Sequence, residues 1–252
     1  MSEEASLPFS VVVPTVYGQM IVNRNDINQT QALLKTGRAI DHADITVLCD
    51  LLRQCPPNPV VADVGANFGT YSLAFAPLVG PYGRVHAFEA QRILFNMLCG
   101  SVALNARTNI FCHHLAVGDR DGMLEIPQFD YFKPLNFGSV EFGDRQTETL
   151  EQARGHDLRA RELVPQVPLD RFGWDRLDLL KIDVEGMEFE ALRGAEATIR
   201  RCKPILYVEY IKVDPQRLAE TIISYGYRIM HNSMNYLAIP LERPVIDSAV
   251  VG

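Results

Sequence analysis

The 252-residue sequence has no C-x-x-C pair, and its five cysteines, Cys49, Cys55, Cys99, Cys112 and Cys202, are odd in number. That argues against a disulfide framework and against zinc-ligand spacing; reduced thiols, most of them buried, in a reducing compartment are expected. No apolar run approaches the length that spans a bilayer, and the opening Met1-Ser2-Glu3-Glu4 is acidic, unlike a signal peptide. A cytoplasmic protein with no membrane partner is the expectation. Positive charge is in deficit: 24 Lys and Arg stand against 31 Asp and Glu, a net −7, which argues against a nucleic-acid partner. Internal repeats and low-complexity stretches are absent. What remains is ordinary for a globular chain, 47% hydrophobic and 22% charged, and long enough for one domain with a substantial core. Nothing in the pattern fixes an oligomeric state.

A dinucleotide-binding turn is missing too. The apolar run Val60 to Val64 carries one acid, Asp63; a turn with Gly65, Ala66, Asn67, Phe68 and Gly69 follows, and Thr70 to Ala76 reads as a helix. Strand, glycine-rich turn and helix open the nucleotide-binding half of a doubly wound α/β sheet. Gly65 is expected to allow the sharp turn at the strand end, and Gly69 the close packing of helix on strand. The free amides at the helix start suit an anionic ligand group. Counted from Gly65, however, G-x-G-x-x-G requires glycines where Asn67 and Thr70 stand, which disfavours a nicotinamide-dependent oxidoreductase. The pattern present, acid-x-Gly-x-Asn-x-Gly, resembles motif I of class I S-adenosylmethionine (SAM) methyltransferases. SAM has no pyrophosphate, so the backbone at Asn67 need not approach so closely. Its ammonium could be stabilised by Asp63, directly or through water.

Taken in order, residues 7–24 hold two β-branched runs around Pro14 and Tyr17-Gly18, which predicts a hairpin. Residues 26–36 and 41–54 read as helices, the second with Asp41 as N-cap. Residues 1–57 are thus expected to form a cap over the nucleotide site, and 58–240 the main domain, with a tail from 241. Arg84 to Glu89 is a second strand whose terminal acid, Glu89, lies where ribose hydroxyls are bound in such folds. Residues 91–106 form a helix. Asn109 to Val117 is a third strand; its neighbours His113 and His114 point to opposite faces, one packed and one exposed, and do not chelate one ion. Ala116 and Val117, at its carboxyl end, offer a place for an adenine ring.

Residues 118–168 interrupt the strand–helix alternation. They read as a substrate-side insertion, with Asn136 and Ser139 facing the acceptor, or else as a hairpin plus a charged surface helix around Glu148 to Glu162. Leu177 to Asp183 is a fourth strand beside the first, placing Asp183 and Glu185 at the topological switch point. Glu188 and Glu190 are expected to be solvated on the next helix. Pro204 to Tyr210 forms a fifth strand carrying Glu209, and residues 226–240 a final hairpin with His231 in its turn.

Motif I, with Phe88-Glu89-Ala90 and Lys181-Ile182-Asp183-Val184-Glu185-Gly186-Met187-Glu188, resembles the FkbM-type methyltransferases, class I SAM enzymes that mostly methylate hydroxyl groups of sugars and polyketides. The likeness covers about residues 58 to 240 and extends to the front hairpin with Tyr17. It departs at Ala90, where many members carry Pro, and in 118–168. It implies a Rossmann-like, seven-stranded mixed sheet with helices on both faces. It also implies SAM contacts at Asp63, Gly65, Asn67, Gly69 and Glu89, with Ala66, Phe68 and Ala90 alongside. Asp183 and Glu185 are implied in the site.

Methyl transfer needs alignment and a base. Asp183, Glu185 or His231 could take the acceptor's proton, with Tyr17, Asn136, Ser139 and Glu209 on the acceptor side. Asp183, Glu185 and Glu209 could instead hold a divalent ion, though a cationic cofactor accounts for the same acids and a metal is not favoured. The acceptor expected is a small molecule or glycan. A SAM-binding interaction module without catalysis is the rival reading, disfavoured by the presence of both Asp183 and Glu185.

Overall fold

The computed structural model describes residues 7–139 and 161–243. Its framework follows from five short, mostly apolar runs, each too short for a helix. These are β3 (Val60–Val64), β4 (Arg84–Phe88), β5 (Ile110–His113), β9 (Leu179–Ile182) and β10 (Ile205–Glu209). They pair in parallel, and the final hairpin, β11 (Tyr227–Asn232) with β12 (Asn235–Pro240), adds antiparallel to β10. The strand order is β11-β12-β10-β9-β3-β4-β5. The chain runs outward from β3 to β5 and then returns to β9 on the other side of β3, so the switch point falls between β3 and β9.

Side-chain alternation divides the core between the two faces of the sheet. Val61, Val85 and Leu179 pack on one face with Leu48 of α2 (His42–Arg53), Leu73 of α3 (Thr70–Phe75) and Leu98 of α4 (Arg92–Leu104). Ala62, Leu180, Ile182 and Leu206 pack on the other with Leu192 of α5 (Glu188–Arg193), Ile199 of α6 (Glu196–Cys202) and Leu218 of α7 (Pro215–Ser224). Burial on both faces is why the central strands are continuously apolar.

The front section packs against the sheet rather than forming a core of its own. β1 (Ser10–Thr15) and β2 (Gly18–Asn23) form the expected hairpin, and α1 (Gln29–Thr36) precedes α2. Met20, Leu33 and Leu48 share one core with the sheet. Asp26 ties cap to insertion: its carboxylate accepts from Thr30 N at 2.8 Å and from Phe137 N at 3.3 Å.

Several expectations are corrected. The third strand divides: β5 ends at His113, and β6 (Ala116–Val117) leaves the main sheet to pair with β8 (Arg161–Val167), which also carries β7 (Gly122–Pro127). Arg161 and Glu162 are therefore strand, not the end of a charged helix; the rest of that expected helix lies outside the described residues. Both histidines are half-buried: His113 bonds His86 across 3.1 Å, while His114 Nε2 lies 3.0 Å from Ala90 O. Since that partner is a carbonyl, His114 Nε2 is the donor. Glu188 is not solvated but fully buried, accepting from Val184 N and Gly186 N at 3.2 Å each. Asp41 stands at the N-cap position but caps nothing. Of the cysteines, all free, Cys49 alone is fully buried.

Candidate functional site

At the carboxyl ends of β3, β4 and β9 lies an open cleft. Its floor is the turn after β3. Gly65 has φ +76°, and a Cβ there would lie 1.7 Å from Asp183 O, so only glycine lets the two strand ends approach. Gly65 N and Ala66 N both donate to Phe88 O, at 3.0 and 2.9 Å, pinning the turn to β4. Asn67 takes a left-handed φ of +51°, and its buried Oδ1 has no hydrogen-bond partner. Gly69 also has positive φ, but the group its missing Cβ admits is Leu98 of α4, not β3.

Glu89, just past β4, is held by two amides: Oε2 accepts from Asn67 N at 2.9 Å and Oε1 from Gln91 N at 2.8 Å. Burial pushes its carboxyl up to about 7, against those two bonds. Leu115, Ala116, Val117 and Leu124 make an apolar wall beside it.

On the other side stands Lys181, in the apolar strand β9 and 3% exposed. Its ammonium donates to Gly65 O at 3.1 Å and lies 3.5 Å from Asp63 and 3.4 Å from Asp183. Burial lowers its affinity for the proton, but the charges of Asp183, Asp63 and Asp41 outweigh that and hold it above the usual lysine range. Asp63 also accepts from Ser72 Oγ at 2.6 Å.

Beyond Asp183, Glu185 occupies a turn with φ +56°, a conformation unfavourable for a side-chain-bearing residue. Its carboxylate pairs with Lys212, and Lys212 Nζ also reaches Ser139 O and Oγ, each at 2.9 Å. Ligand atoms of Asp183, Glu185 and Glu209 lie within 4.8 Å of one another. Burial raises Glu185 and Glu209, the neighbouring acids raise them further, and Lys212 opposes both effects. Oε2 of Glu209 is buried with no hydrogen-bond partner.

Gly65, Ala66, Asn67, Glu89, Ala90, Ala116, Val117, Asp183 and Glu185 thus line the cleft. Asp63, Phe68 and Gly69 stand behind it; Phe68 is a core side chain, 1% exposed. Ser139 reaches the acid cluster through Lys212, while its neighbour Gly138 lines the cleft and Asn136 does not. Tyr17 does not line the cleft: its hydroxyl bonds His42 Nδ1 at 2.8 Å and accepts from Ala39 N at 3.2 Å, bracing the segment on either side of Asp41. His231 lies within β11 rather than in the turn. It is exposed and packs edge-on to Tyr236 at 5.0 Å, outside the cleft.

A family model, the methyltransferase FkbM domain, matches residues 63–229. The chain belongs to the FkbM methyltransferase domain family. The methyltransferase sdnD of Sordaria araneosa is 28% identical over 172 residues, 59% of this chain and 64% of that one. Methyltransferase 1 of Beauveria bassiana is 23% identical over 154 residues, 56% and 60% of the two chains. The chain therefore spans less than two thirds of these relatives' length. A crystal structure of methyltransferase FkbM from Methylobacillus flagellatus KT shares the fold, with TM-score 0.51 and 21% identity over 73% of this chain and 43% of that one. The sheet is that of a Rossmann-like class I methyltransferase.

Four residues around the FkbM cleft escaped the sequence reading as site groups. Lys181 had a signal, a lysine inside an otherwise buried apolar strand. Lys212 had none, because only the fold brings the segment after β10 to Glu185. Gln29 and Asp41 line the cleft from the cap, outside the matched segment 63–229, where no motif points to them.

Proposed function

We propose that this chain is a SAM-dependent O-methyltransferase acting on a hydroxyl of a sugar, glycan or polyketide-like small molecule. The observation that carries the reading is the order of groups along one cleft: a clamped carboxylate next to an apolar wall at one end, a buried acid cluster at the other. Glu89, oriented by two amides, suits a pair of ribose hydroxyls. The wall of Leu115, Ala116, Val117 and Leu124 suits an adenine face, and the orphaned Asn67 Oδ1 has unused capacity toward a ligand donor. SAM, when bound, supplies an electrophilic methyl group. The chain's own part is to align the acceptor, exclude water and take the hydroxyl proton. Glu185 is the group for the last task, since it lines the cleft, and its proton affinity is raised by burial toward that of a useful base. Three carboxylates would also suit a hard divalent cation, but Lys212 already brings a positive charge to them. No helix among the described residues is long and apolar enough to cross a membrane.

The test is transfer of labelled methyl from SAM to a panel of hydroxylated, aminated and carboxylated small molecules, with and without EDTA. Label on hydroxyls, insensitive to EDTA, is expected. Label confined to nitrogen or carboxylate acceptors would contradict the O-methyl assignment, and loss of transfer in EDTA would restore the metal.

A further inference from the structure

SAM carries an ammonium at its amino-acid end, which an acid suits, and the acid that motif I offers lies behind the cleft wall. Asp63 is fully buried. One carboxylate oxygen takes the Ser72 hydroxyl at 2.6 Å and the other faces Lys181 Nζ at 3.5 Å. It contributes no surface to the cleft.

The wall in front of it is closed by the N-terminal cap. Gln29 and Asp41 line the cleft together with Gly65, Thr70 and Tyr71. Asp41 holds the N-cap position of α2, where an aspartate ordinarily accepts a bond from the helix amides. Here it makes no such bond. Its Oδ1 accepts instead from Gln29 Nε2 at 3.2 Å, and Gln29 Oε1 accepts from Ile40 N at 2.8 Å. Gln29 therefore grips both Asp41 and the residue before it, fixing the carboxylate in a direction that does nothing for the helix. Lys181 makes its ion pairs with Asp63 and Asp183 rather than with Asp41, whose charge reaches it as a weaker, longer-range attraction. A carboxylate that forgoes its cap, is held by a second side chain and faces a cleft beside the motif I turn is placed for a cationic ligand group.

We propose that Asp41, oriented by Gln29, receives the ammonium of the cofactor's amino-acid end, so that the cap completes the cofactor site. Asp63 then acts at one remove, keeping Lys181 in place beneath the turn. The proposal rests on the SAM reading and adds to it a binding residue from outside the family segment.

The test uses calorimetric titration of two probes into the full chain. S-adenosylhomocysteine carries the amino-acid end; 5′-methylthioadenosine keeps the nucleoside and sulfur and lacks it. Asp41→Asn, close to wild type in shape, should lose tenfold or more in affinity for the first and stay within twofold for the second. Asp41→Glu should recover part of the loss. An equal loss for both probes would make Asp41 a packing residue and overturn the proposal, as would unchanged affinity for S-adenosylhomocysteine. If melting shows that Asp41→Asn does not fold, Gln29→Ala gives the same comparison, with the same probe-selective loss expected and equal effects contradicting it. Binding of neither probe by wild type would remove the cofactor reading itself, and the proposal with it.

Discussion

At the end of the cleft proposed for the cofactor the chain presents backbone; at the end proposed for the acceptor it presents buried charge. The cofactor end comes largely from one contiguous turn, residues 65–70, pinned by amide bonds to β4 and closed by Glu89. The acceptor end is gathered from four separate places: Asp183 and Glu185 after β9, Glu209 at the end of β10, Lys212 beyond it, and Ser139 of the insertion. A backbone site depends on a few conformations that only certain residues adopt, so it leaves a compact trace in sequence. A charge cluster depends on which segments the fold brings together, so its members are scattered. The two ends should fail differently when perturbed.

The largest effect is expected at Gly65. Gly65→Ala places a methyl 1.7 Å from Asp183 O at φ +76°, so the strand ends must separate. We expect a stability loss of several kcal/mol, as for other substitutions that combine a clash with backbone strain, and loss of cofactor binding. Gly186→Ala, in the acceptor-side turn, is the control. Its φ is +103° with nothing within 4 Å, so it meets strain without a clash. About 1–3 kcal/mol is expected there, with cofactor affinity kept. Thermal melting with a binding titration measures both, and equal damage at the two glycines would erase the distinction between the ends.

Glu185→Gln sharpens the comparison from the other side. The variant should hold SAM affinity within a few-fold and lose roughly 10²–10⁴ in methyl-transfer rate, the usual worth of a positioned base. Single-turnover rates beside binding constants would separate the two. Full activity would take Glu185 out of the chemistry, and His231 does not line the cleft where it could replace it.

The same difference explains what could be read in advance. Val60 to Val64 and Leu179 to Ile182 declared themselves as strands because their apolar runs are short and end in glycine turns, and their adjacency followed from the doubly wound pattern. Gly65, Asn67 and Glu89 could be found by spacing alone. The split of the third strand could not, because Ala116 and Val117 are as apolar as the strand they leave and change sheets only to meet β8. Glu188 was misread because an acid in a first helical turn ordinarily complements the dipole in solvent, whereas here it folds back onto the amides of its own turn. Asp41 looked like a cap by type and position; only the structure shows its side chain turned away to Gln29.

The measurement closest to the central claim is calorimetric titration of S-adenosylhomocysteine, and separately of NAD, into the wild-type chain across pH 5.5 to 8.5. Glu89 must be ionised to accept the ribose hydroxyls, and burial sets its carboxyl near 7. Affinity should therefore be greatest above pH 7. It should fall by up to tenfold per unit below pH 7, as the free protein takes up a proton that the ligand must displace. Glu89→Gln should bind more weakly and flatten that dependence. Saturable S-adenosylhomocysteine binding with this pH response, and none for NAD, is the predicted result; saturable NAD binding with no heat from S-adenosylhomocysteine would contradict the account.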